Sequence, residues 1–563
     1  MREKKTAVYV MTALLLLTAA AILFYQEQWE DFPLAVIVES EGGREKIQSL
    51  KKIPDTYYVF LPGYADPGQA EIQTNWLHPV SIEGERVGNG ASCADYPLNV
   101  PLGMTYSNRG RTIQQTLIFT QSGGVSTLYL DTASGSMDYV NQSRDNSEGG
   151  SLRLYTPEGE LDCSSGVQEL AGRGNSTWDA EKKPYRLKLA AQQNLLGMGA
   201  AKDWILLAND FDASHIRNKA AYDFAREVGA AFSPEAQWVD LYAGGEYLGL
   251  YLLTERNQIH PQRVAIPEEE SFLVSMEWPA RTQWEQLPNV LSDRGNLLMI
   301  RGNALGTERL RQVWQSAENA IYASDGIDPV TGEHWRELID VDSWAEQYLL
   351  REVFADGDAC AMSQFFYYTE SGGKLYAGPL WDMDNTLNCW KTQIPNVLTA
   401  ARRHVWDGEQ ESLFYTLFRK EDFRQRLLEV YYERFRPGLE ALSSEGFARY
   451  AERVSAAASM NAARWDRSWK RECAEEMGTF LRERMAFLES YWASPEDYCL
   501  IEEAGEVQWR CYAFRRGETA EALEDIPNVR WFSNETGEPF DLSQPVTRDT
   551  IVRMIEPELP ASQ

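Results

Sequence analysis

The chain has 563 residues, 44% of them apolar and 12% aromatic, and a formal net charge of −30 at pH 7. That length allows about two to four domains, and the apolar content supplies real cores, which excludes global disorder. The acidic balance argues against a nucleic-acid partner, whose phosphates need a positive surface; it suits a basic protein or divalent cations, or is simply a solvated acidic surface.

Met1 to Lys5 is a short basic lead, and Thr6 to Tyr25 follows without a charge. This is the ~20 residues that cross a bilayer as a helix. Lysines before the run and Glu27, Glu30 and Asp31 after it predict an inside N-terminus and an extracytoplasmic bulk. A cleavable signal peptide is the competing reading. No clean small-x-small site lies outside the apolar run, so residues 1–26 are read as a signal anchor. The expectation is a single-pass cell-membrane protein, or a secreted one if the segment is cleaved.

Residues 27–165 alternate short β-rich runs, such as Leu34 to Val38 and Thr127 to Leu130, with Gly, Ser, Asn and Pro turns. That cadence predicts an all-β module. Residues 166–497 mix strands and helices and end in helical text from Glu411 to Trp492, punctuated by Pro437. Residues 498–563 return to short strands and form a small β module. The expected fold class is α+β. The seven cysteines show no CxxC or zinc spacing, and Cys360 and Cys389 flank the candidate site described below and are one candidate bridge. The five histidines lack an HExxH pattern, so no His-based zinc site is expected.

The third region carries the chemistry. Gly172 to Trp178 gathers two glycines with Arg173, Asn175, Ser176 and Thr177, and Lys183 to Leu189 is a period-2 strand with Arg186 and Lys188 on one face. Such a loop presents backbone N–H groups to an anion, and a lysine on the next strand adds a point charge. A plain glycine turn before a strand gives the same text. Lys202 to Asp210 reads as a buried strand leaving into an acidic turn, and Asp212-Ala213-Ser214 can cap a helix with Ile216, Ala220, Phe224 and Val228 on its apolar face. Arg217 falls near the phosphates if this helix packs as in a kinase N-lobe, and otherwise forms a surface ion pair. Two strands surround Ala243-Gly244-Gly245-Glu246. The second ends at Glu255, which either touches adenine or ribose or is a solvated strand end.

Trp344, Tyr348, Leu349 and Val353 mark one face of a helix begun by Asp342 or Ser343. A loop with Asp358, a hairpin and Trp381-Asp382-Met383-Asp384 follow. A protein kinase uses this order: helix, catalytic loop with an acidic base, hairpin, metal-holding Asp.

Arg173 to Trp178, Lys183 to Leu189, Lys202 to Asn209, Arg217-Asn218, Gly245 to Glu255 and Tyr376 to Asp384 together resemble the spore-coat protein H (CotH) kinase family over roughly residues 166–400. The resemblance implies an atypical two-lobed kinase-like domain that binds ATP with Mg²⁺ or Mn²⁺ and phosphorylates protein Ser or Thr. It places Asp358 as the catalytic-loop base and Asp382 as a metal ligand, with Asp384 as a second ligand or a cap of the next segment. It expects phosphate contact from Lys183 or Lys188, and the loop and strand readings above add Arg173, Asn175, Ser176, Arg217 and Glu255 as candidates at the nucleotide. Two departures stand out: Ala359 to Met362 lacks the polar text expected after the base, and Met383 replaces an aromatic. Trp531 to Leu542 and Pro545 to Ile551 are similar to the internalin-type B repeat of bacterial surface proteins. The alternatives to a kinase are a catalytically weak kinase relative serving in surface binding or assembly, and another carboxylate–metal enzyme.

Overall fold

The computed structural model describes residues 33–555 apart from 53–54, 75–78, 109–110, 279–286, 360–361, 406–409, 468, 470–471, 505–509 and 528. Residues 34–121 form two sheets. One runs Gly43–Gln48, Leu34–Ser40, Glu71–Thr74, Ala91–Ser92; the other is centred on Thr56–Leu61, Arg111–Gln121 and Leu102–Asn108. Leu34, Val36, Val59, Phe60, Ile72, Leu117 and Phe119 are buried in their shared core.

Seven strands then close into a barrel: β1 (Ser126–Thr132), β2 (Ser147–Tyr155), β3 (Leu161–Gly172), β4 (Tyr185–Asn194), β5 (Ala200–Leu207), β6 (Ala236–Ala243) and β7 (Glu246–Glu255). The spatial order is β1-β2-β3-β4-β5-β7-β6. Parallel pairing of Ser126 to Leu130 with Val239 to Ala243 completes the ring. Strand alternation fills it: Tyr185, Leu187 and Leu189 join Leu128, Leu154, Leu206 and Leu253 in one cluster. Arg186 and Lys188, on the opposite face of β4, stay partly exposed. The β6–β7 hairpin turns on Gly244 (φ +57°) and Gly245 (φ +87°), a pair of left-handed positions that glycine takes without steric cost.

Between β5 and β6 lies α1 (Arg217–Glu227). A five-stranded sheet follows, built from β8 (Ser271–Glu277), β9 (Asn289–Leu291), β10 (Leu297–Asn303), β11 (Gln364–Thr369) and β12 (Leu375–Ala377) in the order β9-β10-β8-β11-β12. Helices α2 (Thr307–Tyr322) and α3 (Val341–Val353) connect β10 to β11. The helical run Glu421–Trp465 carries π turns at Tyr431–Phe435 and Leu442–Gly446, on either side of Pro437, and α4 (Glu472–Ala493) packs after it. The last sheet unites β13 (Val397–Leu398) with β14 (Tyr498–Glu503), β15 (Arg510–Arg515), β16 (Arg530–Ser533) and β17 (Thr550–Ile555). One core extends from Ile205 and Phe224 through Trp344, Tyr348 and Trp492 to Val552.

Two expectations are corrected. The chain is mostly β, 36% strand against 29% helix, and is organised round a closed barrel, not as an α+β kinase-like pair of lobes. The physical reason is closure. Strands on both sides of residue 165 exhaust one another's backbone donors and acceptors in a ring without edges, and no local pattern announces that pairing. Among the described residues no helix is long and apolar enough to cross a membrane, which corrects the single-pass cell-membrane reading and the membrane partner. The expected anchor itself, residues 1–26, lies outside the described residues.

Candidate active site

Helix α3 begins at Asp340, whose carboxylate accepts the Ser343 N–H at 2.9 Å, so the cap precedes the Asp342 or Ser343 read from sequence. Its stripe Trp344, Tyr348, Leu349 and Val353 is buried, which fixes where the helix ends and the loop with Asp358 starts. Two backbone bonds hold that loop against the Trp381 to Leu387 turn: Gly357 N to Asn385 O at 3.0 Å and Leu387 N to Phe354 O at 2.7 Å. Non-glycine residues at positive φ crowd this junction: Ala355 (+51°), Ser363 (+57°), Asp382 (+61°), Leu387 (+49°), Asn388 (+55°) and Lys391 (+57°). Such conformations persist only where the surroundings over-determine them, and they concentrate at functional sites.

The junction gathers carboxylates. Asp358 is pushed up to about 7 by burial and then by the negative charges of Asp356 and Asp382. Asp384 is raised well above the usual carboxylate range by burial, Asp382, Asp358, Asp212 and Asp356. Asp382 accepts from the Ser363 hydroxyl at 2.9 Å. Its backbone N–H reaches the Tyr222 hydroxyl at 3.3 Å, and the Met383 N–H donates to Asn218 Oδ1 at 2.8 Å. Asn385 Nδ2 points at Asp358 Oδ1, 3.5 Å away. Mutually repelling, partly desolvated carboxylates suit a hard divalent cation. Among the described residues no three His, Cys, Asp or Glu side chains already form a cage. One or two carboxylates with phosphate oxygens as the other ligands is how Mg²⁺ is commonly held, and Asp382 with Asp384 fits that pattern.

The other residues singled out in the sequence divide into groups. The Arg173 guanidinium lies 5.6 Å from the Trp381 ring centre, so its loop reaches the residue that precedes Asp382. Asn175 and Ser176 share that loop, at the start of the short helix Ser176–Asp179. Lys183 is tied to its own turn: Nζ donates to Trp178 O at 2.8 Å and Ala180 O at 3.2 Å, over the Trp178 ring. Lys188 lies on the outer face of β4, in register with Glu169 and Asp203. The fully buried lysine is the neighbouring Lys182, which donates to Ala208 O at 2.8 Å and to Leu250 O, and burial lowers its pKa to about 7. Arg217 is buried, paired with Asp212, and donates to Thr386 O at 2.8 Å. It therefore braces the turn after Asp384 and does not project from it. Cys389 carries no disulfide, and Cys360, its candidate partner, lies outside the described residues.

Glu255 is buried at the end of β7, paired with Arg263 at 2.7 Å and accepting the Glu235 N–H at 3.0 Å. Burial nevertheless pushes it up to about 7 against a usual 4.5. The unfolded chain then loses this proton first. Stability falls as pH rises from about 4.5 to 7 and is flat above. Glu255→Gln removes this slope, so the difference in urea midpoint between variant and parent should shift in the variant's favour across that window. A pH-independent difference would refute it.

Several site residues carried no local signal. Asp356 and Ser363 come from the loop after α3, and Tyr222 and Arg402 arrive from elsewhere in the chain, whereas Asn218 was part of the Arg217-Asn218 text. Arg402 is buried and donates to Ala359 O and, at 3.4 Å, to Gly357 O, the carbonyls on either side of Asp358. Asn385 was readable, as the residue after the Asp382 to Asp384 triplet.

Gly172 ends β3 and starts the Arg173 loop. A Cβ there would stand 2.0 Å from the Trp178 ring. Gly172→Ala must displace that ring, and a cost of about 1–3 kcal/mol is expected in urea unfolding. An unchanged urea midpoint would show that the ring moves freely.

A closed barrel bearing a glycine-rich loop thus accompanies a helix–loop–hairpin whose Asp358, Asp382 and Asp384 act on one another electrostatically. The family model described as CotH kinase protein matches residues 170–488. The chain belongs to the CotH kinase family. A search of curated proteins finds no match.

Proposed function

We propose that this protein is an ATP- and divalent-metal-dependent kinase that phosphorylates Ser or Thr of a protein. The observation that carries the reading is the convergence of Asp358, Asp382 and Asp384 on one junction, with Arg173 against the adjoining Trp381, inside the region that matches the family. Phosphoryl transfer asks for alignment and charge neutralisation more than covalent chemistry. Asp358, with a proton affinity near neutral, accepts the proton of the acceptor hydroxyl. Asp382 and Asp384 hold the metal, which when bound neutralises charge on the phosphates. Arg173 contributes a planar cation for phosphate oxygens. The formal charge of −30 favours a basic acceptor protein.

A second reading, a catalytically weak relative used in binding or assembly, has one observation in its favour. The Lys183 and Arg217 cations are spent on protein carbonyls, which leaves few cations for phosphate. The two separate on incubating the purified protein with radiolabelled ATP, Mn²⁺ or Mg²⁺ and a basic Ser-containing protein. Metal-dependent labelling of the acceptor supports the kinase. ATP binding without labelling supports the second reading, and no ATP binding sinks both.

A further inference from the structure

One buried arginine touches both halves of the site. Arg351 lies in the last turn of α3 with its side chain 1% exposed. One nitrogen of its fork donates to the Asp356 carboxylate. The other donates to Ser363 O at 2.9 Å and Trp381 O at 3.0 Å. Each partner adjoins a reacting group. Asp356 Oδ1 accepts the Asp358 N–H at 3.0 Å. Trp381 precedes Asp382, and the Ser363 hydroxyl donates to Asp382 Oδ2 at 2.9 Å. The loop after α3 and the turn after β12 are thus clamped by a single rigid plane.

We propose that Arg351 is a positioning residue that sets the spacing between Asp358 and Asp382, an inference that rests on the kinase reading above. Ser363 and Asp382 both hold positive φ, a conformation that needs external support, and the Arg351 fork contacts Ser363 and the residue before Asp382. Lysine would keep a charge beside Asp356, but its compact ammonium on a flexible stem does not reproduce a planar fork facing three acceptors.

The test compares full-length wild type, Arg351→Lys and Ser363→Ala by kcat and KM for ATP, Mn²⁺–ATP binding in calorimetry, and thermal unfolding. For Arg351→Lys, kcat should fall by about 100-fold, the scale of a misplacement near 1 Å, with KM for ATP and the unfolding transition little changed. Ser363→Ala keeps the fork and the buried pair. It should unfold like wild type, bind Mn²⁺–ATP more weakly, and lose less kcat. Retained kcat in Arg351→Lys overturns the proposal, as does a kcat loss that merely follows lost ATP binding and an early unfolding transition. Should Arg351→Lys fail to fold, wild-type behaviour of Ser363→Ala in both rate and Mn²⁺–ATP binding overturns it. An inactive wild type that still binds ATP overturns the kinase reading and this inference together, and is seen before any variant is measured.

Discussion

Asp358→Asn should lower phosphoryl transfer by about 10²–10⁴-fold, the usual worth of a positioned general base, while ATP binding persists. The amide keeps the size and the approach of Asn385 (3.5 Å) but cannot accept the hydroxyl proton. It also removes one of the negative charges that raise Asp384, so the local fold should be relieved and not strained. Asp382→Asn should differ in kind, losing transfer and metal-dependent nucleotide binding together. Asparagine is the right probe there because it tolerates the left-handed backbone of Asp382 (φ +61°) better than alanine does. Calorimetry with ATP, with and without Mn²⁺, alongside the labelling assay distinguishes the two. Equal loss of binding in both variants would mean that Asp358 is a ligand and not the base; full activity in either would remove it from the site.

Glu352→Ala should destabilise the fold by about 3–5 kcal/mol, the cost of leaving one partner of a buried ion pair uncompensated. Glu352 and Arg484 are both fully buried. Arg484 also donates to Glu352 O at 2.8 Å, Pro395 O at 2.8 Å and Val397 O at 2.6 Å. Glu352 accepts the backbone N–H groups of Thr399 at 3.1 Å and Ala401 at 2.7 Å. The pair therefore fastens α4 and the 395–401 segment to the end of α3, just before the loop of Asp358. Replacing both residues by apolar ones should recover only part of the loss, because the carbonyls of Pro395 and Val397 would stay buried without Arg484. Urea unfolding of the single and double variants reads this directly. A Glu352→Ala loss below about 1 kcal/mol, the range of an exposed pair, would show that the pair contributes little.

Much of the site was legible because its signals are local. The Trp344, Tyr348, Leu349, Val353 stripe marks α3, since a helix repeats its buried face every three to four residues. The alternation from Lys183 to Leu189 marks β4, and Gly244-Gly245 marks the hairpin, because two successive left-handed positions call for glycine. The Trp381 to Asp384 string lies directly after the hairpin, where the helix–loop–hairpin order read from the sequence put it. The roles of the cations could not be read this way. Lys182, Lys183 and Lys188 lie within one short stretch, yet one is buried on carbonyls, one folds back on Trp178 and one faces outward. Which applies depends on what sits opposite each side chain. Arg217 likewise looked like a phosphate ligand and is a brace on Thr386 O.

The sequence by itself determined the acidic, core-forming character of the chain, most strands and helices around the site, and the family, because propensity, periodicity and turn chemistry act between near neighbours. Only the tertiary structure decided that β1 and β6 meet to close a barrel, that the Arg173 loop lands on Trp381, and that Arg351, Arg402 and Glu352 lock the carboxylate junction from beneath. Those outcomes come from packing and hydrogen-bond satisfaction between segments far apart in the chain: a buried carbonyl or guanidinium must find a partner, and nothing local states which one.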